Sequence, residues 1–237
     1  MTVISYSVVP TYNIEKWKNP SGDVFRLNQH MVFETDSKYG FPEIRPYKGD
    51  LPTDLVNFHE VTKGFSDDLW VHFNIDDYYF ERVWSSPDRL LKIAQKCKGF
   101  LSTTFSIFEV QPYSMNLWNV YRNRWLTAFM QHHDINVIPC VLWADESTYD
   151  FAFDSLPKFA TLAVSTVGTL KLDNRKMFVE GFKEMIYVLC PERLVVYGEH
   201  IPVDFTQWCD EVVYIDSDWK KRREKMKGIK QEEATVK

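Results

Sequence analysis

The fold class follows from residues 160–197, which read ATLAVSTVGTLKLDNRKMFVEGFKEMIYVLCPERLVVY. An apolar, β-branched run at 160–166 precedes a helical pattern at 172–190, and a second apolar run follows at 193–197. Within the helical part, apolar residues recur at a spacing of three or four and share one face: Met177, Phe178, Phe182, Met185, Ile186 and Leu189. A strand, a helix and a strand in this order predict two parallel strands joined by a right-handed crossover.

The same alternation extends toward both ends of the chain. Further apolar runs lie at 69–75, 99–103, 135–143 and 211–215, and helical stretches separate several of them. Ser86 and Pro87 are typical of a helix start and Gly99 of its end. We therefore predict an α/β fold with a mostly parallel sheet of about six βα units. Periodicity leaves open whether that sheet is an incomplete or modified TIM-like barrel or an open sheet.

The two ends of the chain differ from this central part. Residues 1–65 are rich in Pro, Gly, Asn and Asp and hold five of the eleven prolines. Residues 218–237 carry eight basic and four acidic side chains, a net charge of +4. We predict a loop-rich arm at 1–65 packed on the main domain, an α/β domain at 66–217 and a basic C-terminal helix or tail at 218–237.

Charge and hydropathy narrow the choice of partners. Residues 1–217 hold 20 basic and 29 acidic side chains, a net charge of −9. Duplex DNA is bound largely by neutralising its phosphates, so this acidic body argues against duplex DNA as a partner. No apolar run approaches the roughly 18 residues of a membrane span, and the N-terminus lacks a signal-peptide pattern. We expect no membrane partner and a cytoplasmic location.

Candidate site residues come from the rule that ligands bind beyond the carboxyl ends of parallel strands. Asp76, Asp77 and Asp145 follow predicted strands and are the candidate catalytic residues, because carboxylates act as acids, bases or metal ligands. Capping of a helix is the alternative role for Asp76 and Asp77. The remaining strand-end candidates are for ligand binding: Trp143, Ser165, Thr166, Gly168 and Tyr197.

Several of the binding candidates have an alternative structural role. Ser165, Thr166 and Gly168 could offer hydroxyls and backbone N–H groups to a phosphate, or form an ordinary strand-to-helix turn. Trp143 could stack on a ligand ring or pack in the core. Arg122 and Arg124 lie about 200° apart around the helix predicted at 114–132, so at most one of them serves any single anion site. The same helix carries a polar stripe: Asn116, Asn119, Asn123 and Thr127.

Four segments carry a resemblance to a known family: VHFNIDDYYFERVWSSPDRLL (71–91), GFLSTTFSIF (99–108), LWNVYRNRWLTAFMQHHDINVIPCVLWAD (117–145) and FDSLPKFATLAVSTVG (153–168). Over roughly residues 40–200 the chain resembles a domain-of-unknown-function family of uncharacterised proteins from phages and mobile elements of Gram-positive bacteria. The resemblance implies a single α/β domain and, for a phage-encoded protein, a place in the host cell cytoplasm.

The resemblance also marks one departure. In the family the second strand often ends in Pro-Asp-Phe-Ser, whereas this chain has Thr104 at the position of the aspartate. If that aspartate is catalytic in the family, its replacement implies a binding role here, or a chemistry centred on Asp76, Asp77 and Asp145. The family implies no particular reaction.

Two hypotheses about function follow. The first is an α/β domain that binds a phosphorylated or nucleotide-like molecule. If the domain is an enzyme, carboxylates act as acid and base, with or without Mg²⁺. The second is a non-catalytic interaction protein that binds a host or anti-phage defence protein. The aromatic content of 16% and the net negative charge of residues 1–217 support this hypothesis. No G-x-S-x-G, G-x-G-x-x-G or Walker motif is present, which argues against common hydrolases and dinucleotide enzymes.

Overall fold

The computed structural model describes residues 28, 31, 33–64 and 69–235, the last helix beyond residue 227 by its backbone alone. Its strands are β1 (Val56–Asn57), β2 (Leu69–His72), β3 (Cys97–Leu101), β4 (Val137–Ile138), β5 (Thr161–Ser165), β6 (Arg193–Gly198) and β7 (Glu211–Asp216). Its α-helices are α1 (Phe58–Val61), α2 (Glu81–Ser85), α3 (Asp88–Ala94), α4 (Tyr113–His132), α5 (Tyr149–Ala152), α6 (Leu172–Leu189) and α7 (Asp218–Thr235). Short 3₁₀ helices lie at Asp77–Tyr79, Glu146–Thr148 and Phe205–Gln207.

All described strands run parallel and follow one another in chain order. β1 to β4 form one hydrogen-bonded sheet and β5 to β7 a second one. A parallel bridge between Cys140 and Ala163 links the two sheets. The predicted α/β class with a mostly parallel sheet is thus confirmed, although β1, which is two residues long, was not expected.

The linked sheets curl into an incomplete barrel. In a flat sheet, β2 and β6 would be four strand spacings apart, about 19 Å. Yet the rings of His72 on β2 and Tyr197 on β6 have centroids only 4.3 Å apart. The two strands therefore face each other across an interior. Among the described residues no strand pairing joins β1 to β7, so the barrel stays unclosed there.

Strand residues alternate between this interior and an outer layer of helices. One set fills the interior: Leu55, Trp70, Leu101, Ile138, Cys140, Ala163, Val195, Tyr197 and Ile215. The intervening residues pack outward, those of β2 and β3 against α4 and those of β5 and β6 against α6. Burial on both faces explains why the strands read as near-continuous apolar runs.

Gly99 lies inside β3 and does not end the preceding helix, so that prediction is wrong. The helix, α3, already ends at Ala94. A Cβ on Gly99 would lie 2.7 Å from the indole ring of Trp70, which points into the barrel from the neighbouring strand. The position needs glycine because of this close approach.

The polar stripe on α4 is buried and holds the segment after β3 in place. Asn123 exchanges hydrogen bonds with the backbone of Phe105, at 2.8 Å and 3.1 Å. Asn116 does the same with the backbone of Phe108, and Asn119 donates to the carbonyl of Ser106. These amides satisfy backbone hydrogen-bonding groups of a segment that pairs with none of the described strands. They thereby fix its position at the carboxyl edge of the sheet.

Residues 33–64 pack against the barrel. Phe41, Ile44, Leu55 and Phe58 are buried, and the backbone of Arg45 exchanges hydrogen bonds with the side chain of Gln131 on α4. Most of the rest of the predicted arm, including residues 1–27, lies outside the described residues. The predicted domain boundaries stay predictions.

Candidate functional site

Two adjoining clefts open at the carboxyl ends of the strands. The first, here called the edge cleft, has a volume of about 470 Å³ and lies at the ends of β2 to β5. The second, the charged cleft, has a volume of about 570 Å³ and lies at the ends of β1, β2, β6 and β7. Both are lined by Asn74, Ile75, Val167 and Gly168, which therefore form their common boundary.

The edge cleft is mainly apolar. Beyond the boundary residues, its apolar lining residues are Leu101, Ile107, Phe108, Cys140, Val141, Leu142, Trp143, Val164, Met177 and Phe178. Hydroxyl and amide groups and one carboxylate complete it: Asp76, Thr104, Ser106, Ser165, Thr169 and Asn174. Among the described residues, no Lys or Arg lines this cleft. Such a lining suits a planar or apolar group that makes a few hydrogen bonds at its rim.

Trp143 forms one wall of the edge cleft and is held there by α6. Its ring lies 5.2 Å from that of Phe178 and 6.0 Å from that of Phe153, measured between centroids. A Cβ at Gly181 would lie 2.2 Å from two atoms of the indole ring. The glycine therefore lets the tryptophan lie directly against the helix. Trp143 both packs and lines the cleft, so its two predicted roles are compatible.

The loop after β5 forms the boundary between the clefts and is fixed by hydrogen bonds. Thr166 is fully buried, and its hydroxyl donates to the carbonyl of Glu199 at 2.7 Å. Gly168 has a φ of 84°, a conformation that favours glycine, and its carbonyl accepts a hydrogen bond from Asn174. Ser165 and Gly168 line the edge cleft, whereas the Thr166 hydroxyl is already used within the fold.

The three candidate catalytic carboxylates lie apart. Asp76 precedes a 3₁₀ helix without capping it through its side chain, and it lines the edge cleft. Asp77 instead accepts hydrogen bonds from the N–H and hydroxyl of Ser106, at 3.0 Å and 2.8 Å. Asp145 lies in another, open groove of about 1540 Å³, which shares only Met177 of the described residues with the edge cleft. Of the three, Asp76 alone reaches the edge cleft together with Trp143, Ser165 and Gly168.

Arg122 and Arg124 both have partners within the fold and line neither cleft. Arg122 forms an ion pair with Glu81 at 2.8 Å, and its guanidinium lies 3.7 Å from the centre of the Phe105 ring. Arg124 is fully buried and donates to the carbonyls of Ala152 and Asp154. Burial lowers the pKa of Arg124 to about 10. The two arginines stabilise the packing of α4 on opposite sides.

A cluster of polar side chains on the floor of the charged cleft is missing from the sequence-derived candidates. The Asp218 carboxylate oxygen Oδ2 accepts a hydrogen bond from Asn57 Nδ2 at 2.6 Å. His72 Nε2 lies 3.5 Å from the same oxygen, which is long for a full hydrogen bond. Burial raises the pKa of Asp218, but the contacts with His72 and Asn57 outweigh it and the net pKa is lowered. The group is therefore an ionised acceptor at neutral pH.

Tyr197, a predicted binding residue, belongs to this cluster. Its hydroxyl accepts a hydrogen bond from the Asp218 backbone N–H at 3.0 Å, and its ring packs on His72. Burial, together with the nearby Asp218 charge, raises the pKa of Tyr197. Two signals could have pointed to the cluster: a histidine inside the apolar run LWVHFNI, and an aspartate two residues after the last strand.

The walls of the charged cleft carry both charge signs and two aromatic rings. Lys63 lies 3.2 Å from Glu60, and Glu199 accepts a hydrogen bond from Ser217. Arg222 also lines the cleft, and no described carboxylate lies within ion-pair distance of it. Tyr79 and Trp219 complete the walls. The cations that line this cleft are thus Lys63, which is paired with Glu60, and Arg222.

Two further features are absent from the described part of the chain. No group of three or more His, Cys, Asp or Glu side chains is arranged to hold a metal ion. None of the described helices has the length and apolar character needed to cross a membrane.

Comparison with known proteins places the chain among phage relatives. It is 34% identical over 228 residues to the Gene 1 protein of Mycobacterium phage D29, covering 92% of this chain and 81% of the relative. It is 36% identical over 193 residues to the Gene 1 protein of Mycobacterium phage L5, covering 77% and 81%. No solved structure matches the chain. Residues 33–216 match the family described as Domain of unknown function (DUF4417). The predicted resemblance is confirmed, and the chain belongs to the DUF4417 family.

Proposed function

We propose that the chain binds a nucleotide-like molecule across the two clefts, with the ring in the edge cleft and the phosphorylated end in the charged cleft. The observation that carries the proposal is the contrast between two clefts that share a boundary. One is mainly apolar and has no Lys or Arg among its described lining residues. The other contains Lys63 and Arg222 together with three carboxylates. A molecule with a planar ring at one end and an anionic group at the other matches this contrast.

The edge cleft offers contacts that suit a nucleobase. Trp143, Phe108 and Phe178 provide aromatic surface for stacking or edge contacts. Asn174 and Ser165 are within the same lining and can exchange hydrogen bonds with polar atoms on a ring. If the bound molecule is also chemically altered, Asp76 is the candidate carboxylate placed to act on it.

The test uses AMP, GMP, CMP and UMP, with binding measured by isothermal titration calorimetry. We expect at least one of them to bind, and Val167→Trp to weaken that binding at least tenfold, because Val167 lies on the common boundary. The matched control is Val110→Trp, at a residue that is 85% exposed and lines neither cleft. Native mass spectrometry of protein purified gently from its host would show a ligand retained from the cell. If none of the four nucleotides bound, the proposal would be wrong.

The groove that contains Asp145 favours a second function, which is interaction with a host protein. Among the described residues, seven acidic and two basic side chains line this groove, together with apolar residues that include Phe153 and Leu156. Opposite charge across an interface steers association and selects partners. The groove therefore suits a basic segment of another protein that carries apolar side chains.

Charge-reversal variants of acidic residues in the groove test this second function. Glu180→Lys with Glu184→Lys should abolish co-purification of a host protein with the tagged chain, whereas Glu109→Lys with Glu211→Lys should leave it unchanged. The control pair makes the same change of charge on exposed residues outside the groove. Equal capture by both double variants would rule out the groove as the interface.

A further inference from the structure

The Asp218 carboxylate has one oxygen held by the fold and the other free of protein donors. Oδ2 faces Asn57 Nδ2 and His72 Nε2. No described side chain or backbone group donates a hydrogen bond to Oδ1. About a quarter of the side-chain surface is exposed, and Asp218 lines the charged cleft. A carboxylate with one fixed and one free oxygen is arranged to accept a hydrogen bond from a ligand.

His72 is oriented so that it supports this arrangement. The histidine is fully buried, and its Nδ1 accepts a hydrogen bond from the backbone N–H of Asn74 at 3.1 Å. Because Nδ1 is an acceptor, the proton of the neutral imidazole is on Nε2, which faces Asp218. Asn57 is fixed in a similar way, since its Oδ1 accepts the N–H of Glu60 while its Nδ2 donates to Asp218. Asn57 thus holds one oxygen of the carboxylate by a hydrogen bond, and the N–H of the buried His72 faces the same oxygen at 3.5 Å.

The chemistry favours recognition of a hydroxyl group over proton abstraction. An ionised carboxylate accepts hydrogen bonds strongly and donates none. The sugar of a bound nucleotide lies between its base, in the edge cleft, and its phosphate, near Lys63 and Arg222. Acidic side chains are well suited to accept hydrogen bonds from ribose hydroxyls. We infer that Asp218, positioned by His72 and Asn57, binds a ribose hydroxyl and makes the site selective for ribonucleotides over 2′-deoxyribonucleotides.

This inference rests on the proposed nucleotide binding, and a pair of ligands tests it without any variant. Each of AMP, GMP, CMP and UMP is compared with its 2′-deoxy form by isothermal titration calorimetry on the full chain. We expect the deoxy form of the bound nucleotide to bind about tenfold more weakly, since loss of the 2′-hydroxyl leaves the Asp218 carboxylate without a hydrogen-bond donor. Equal binding of the two forms would overturn the inference and leave the proposed function standing. Binding of neither form would overturn both.

Variants then assign the selectivity to named groups. In Asp218→Asn, the amide oxygen should turn toward Asn57 and His72, so that its NH₂ group faces the cleft and an acceptor becomes a donor. We expect the ribose preference to disappear. His72→Gln retains a donor near Asp218 and should keep the preference, whereas His72→Phe retains a ring against Tyr197 without a donor and should reduce it. An unchanged ribose-to-deoxyribose ratio in Asp218→Asn would overturn the assignment.

Discussion

The contact between Gly181 and Trp143 allows a sharp test of how the edge cleft is built. Replacing Gly181 by Ala would place a methyl group 2.2 Å from Cδ1 and Nε1 of the indole ring. The indole ring has little room to move away, because Phe153 and Phe178 also pack against it. Trp143 would have to move, and it lines the edge cleft.

The expected magnitude combines two opposing effects. Overpacking of a buried contact costs about 2 kcal/mol, while replacing Gly by Ala inside a helix gains about 1 kcal/mol. We therefore expect Gly181→Ala to lower the free energy of unfolding by about 1 kcal/mol in the natural sequence. In a Trp143→Ala background the clash is removed, so the same change should raise the free energy of unfolding by about 1 kcal/mol.

Urea denaturation of the four proteins in this double-mutant cycle measures both values. The change of sign between backgrounds is the decisive result, because it is independent of the absolute stability of Trp143→Ala. The reasoning would be refuted if Gly181→Ala stabilised the natural sequence and the Trp143→Ala variant equally. In that case the indole would not lie against α6.

Three further predictions concern other parts of the fold. The lowered pKa of Asp218 means that its ionised form stabilises the protein above about pH 4, and that this contribution is lost as the pH falls through the folded-state pKa. Urea unfolding between about pH 2 and pH 5 should therefore show a shallower acid-side loss of stability in Asp218→Asn than in the natural chain. Arg124→Met should cost about 1–3 kcal/mol of unfolding free energy, since two carbonyls lose their donor, and calorimetry should show unchanged nucleotide affinity. Asn123→Ala should cost a similar 1–3 kcal/mol by leaving the buried Phe105 N–H unsatisfied, measured by the shift in the urea midpoint.

Strand and helix periodicity was enough to predict the α/β class, because burial on both faces makes the strands apolar throughout. It could not predict the curvature, which depends on contacts between strands far apart in the chain, such as that between His72 and Tyr197. β1 was missed because two residues carry no periodic signal. The role of Gly99 was mistaken because the side chain it accommodates, Trp70, comes from another strand.

The candidate site, like the fold, could be predicted only in part from the sequence. The strand-end rule selected residues that line a cleft, among them Asp76, Trp143, Ser165 and Gly168, whose roles in binding or catalysis stay predictions. It could not show that Asp77 is bound to Ser106 or that Thr166 is bound to Glu199, since both are tertiary hydrogen bonds.

The cluster around Asp218 escaped prediction for a related reason. Asn57, His72 and Asp218 come from β1, from β2 and from the start of α7, and only the curvature of the sheet brings them together. A lone histidine in an apolar strand is more often a core residue than a functional one, so sequence position alone could not assign it. The free acceptor on Asp218 is visible only once its other contacts are known.

The most direct test of the account is an amide NMR titration of the full chain with the four ribonucleoside monophosphates. We predict that the bound nucleotide shifts the resonances of Asn74, Val167 and Gly168, which form the common boundary of the two clefts. Shifts at Trp143 on one side and Asp218 on the other would show that the molecule spans both. Resonances that remain unchanged at all of these residues, or that shift only around Asp145 in the separate groove, would contradict the account.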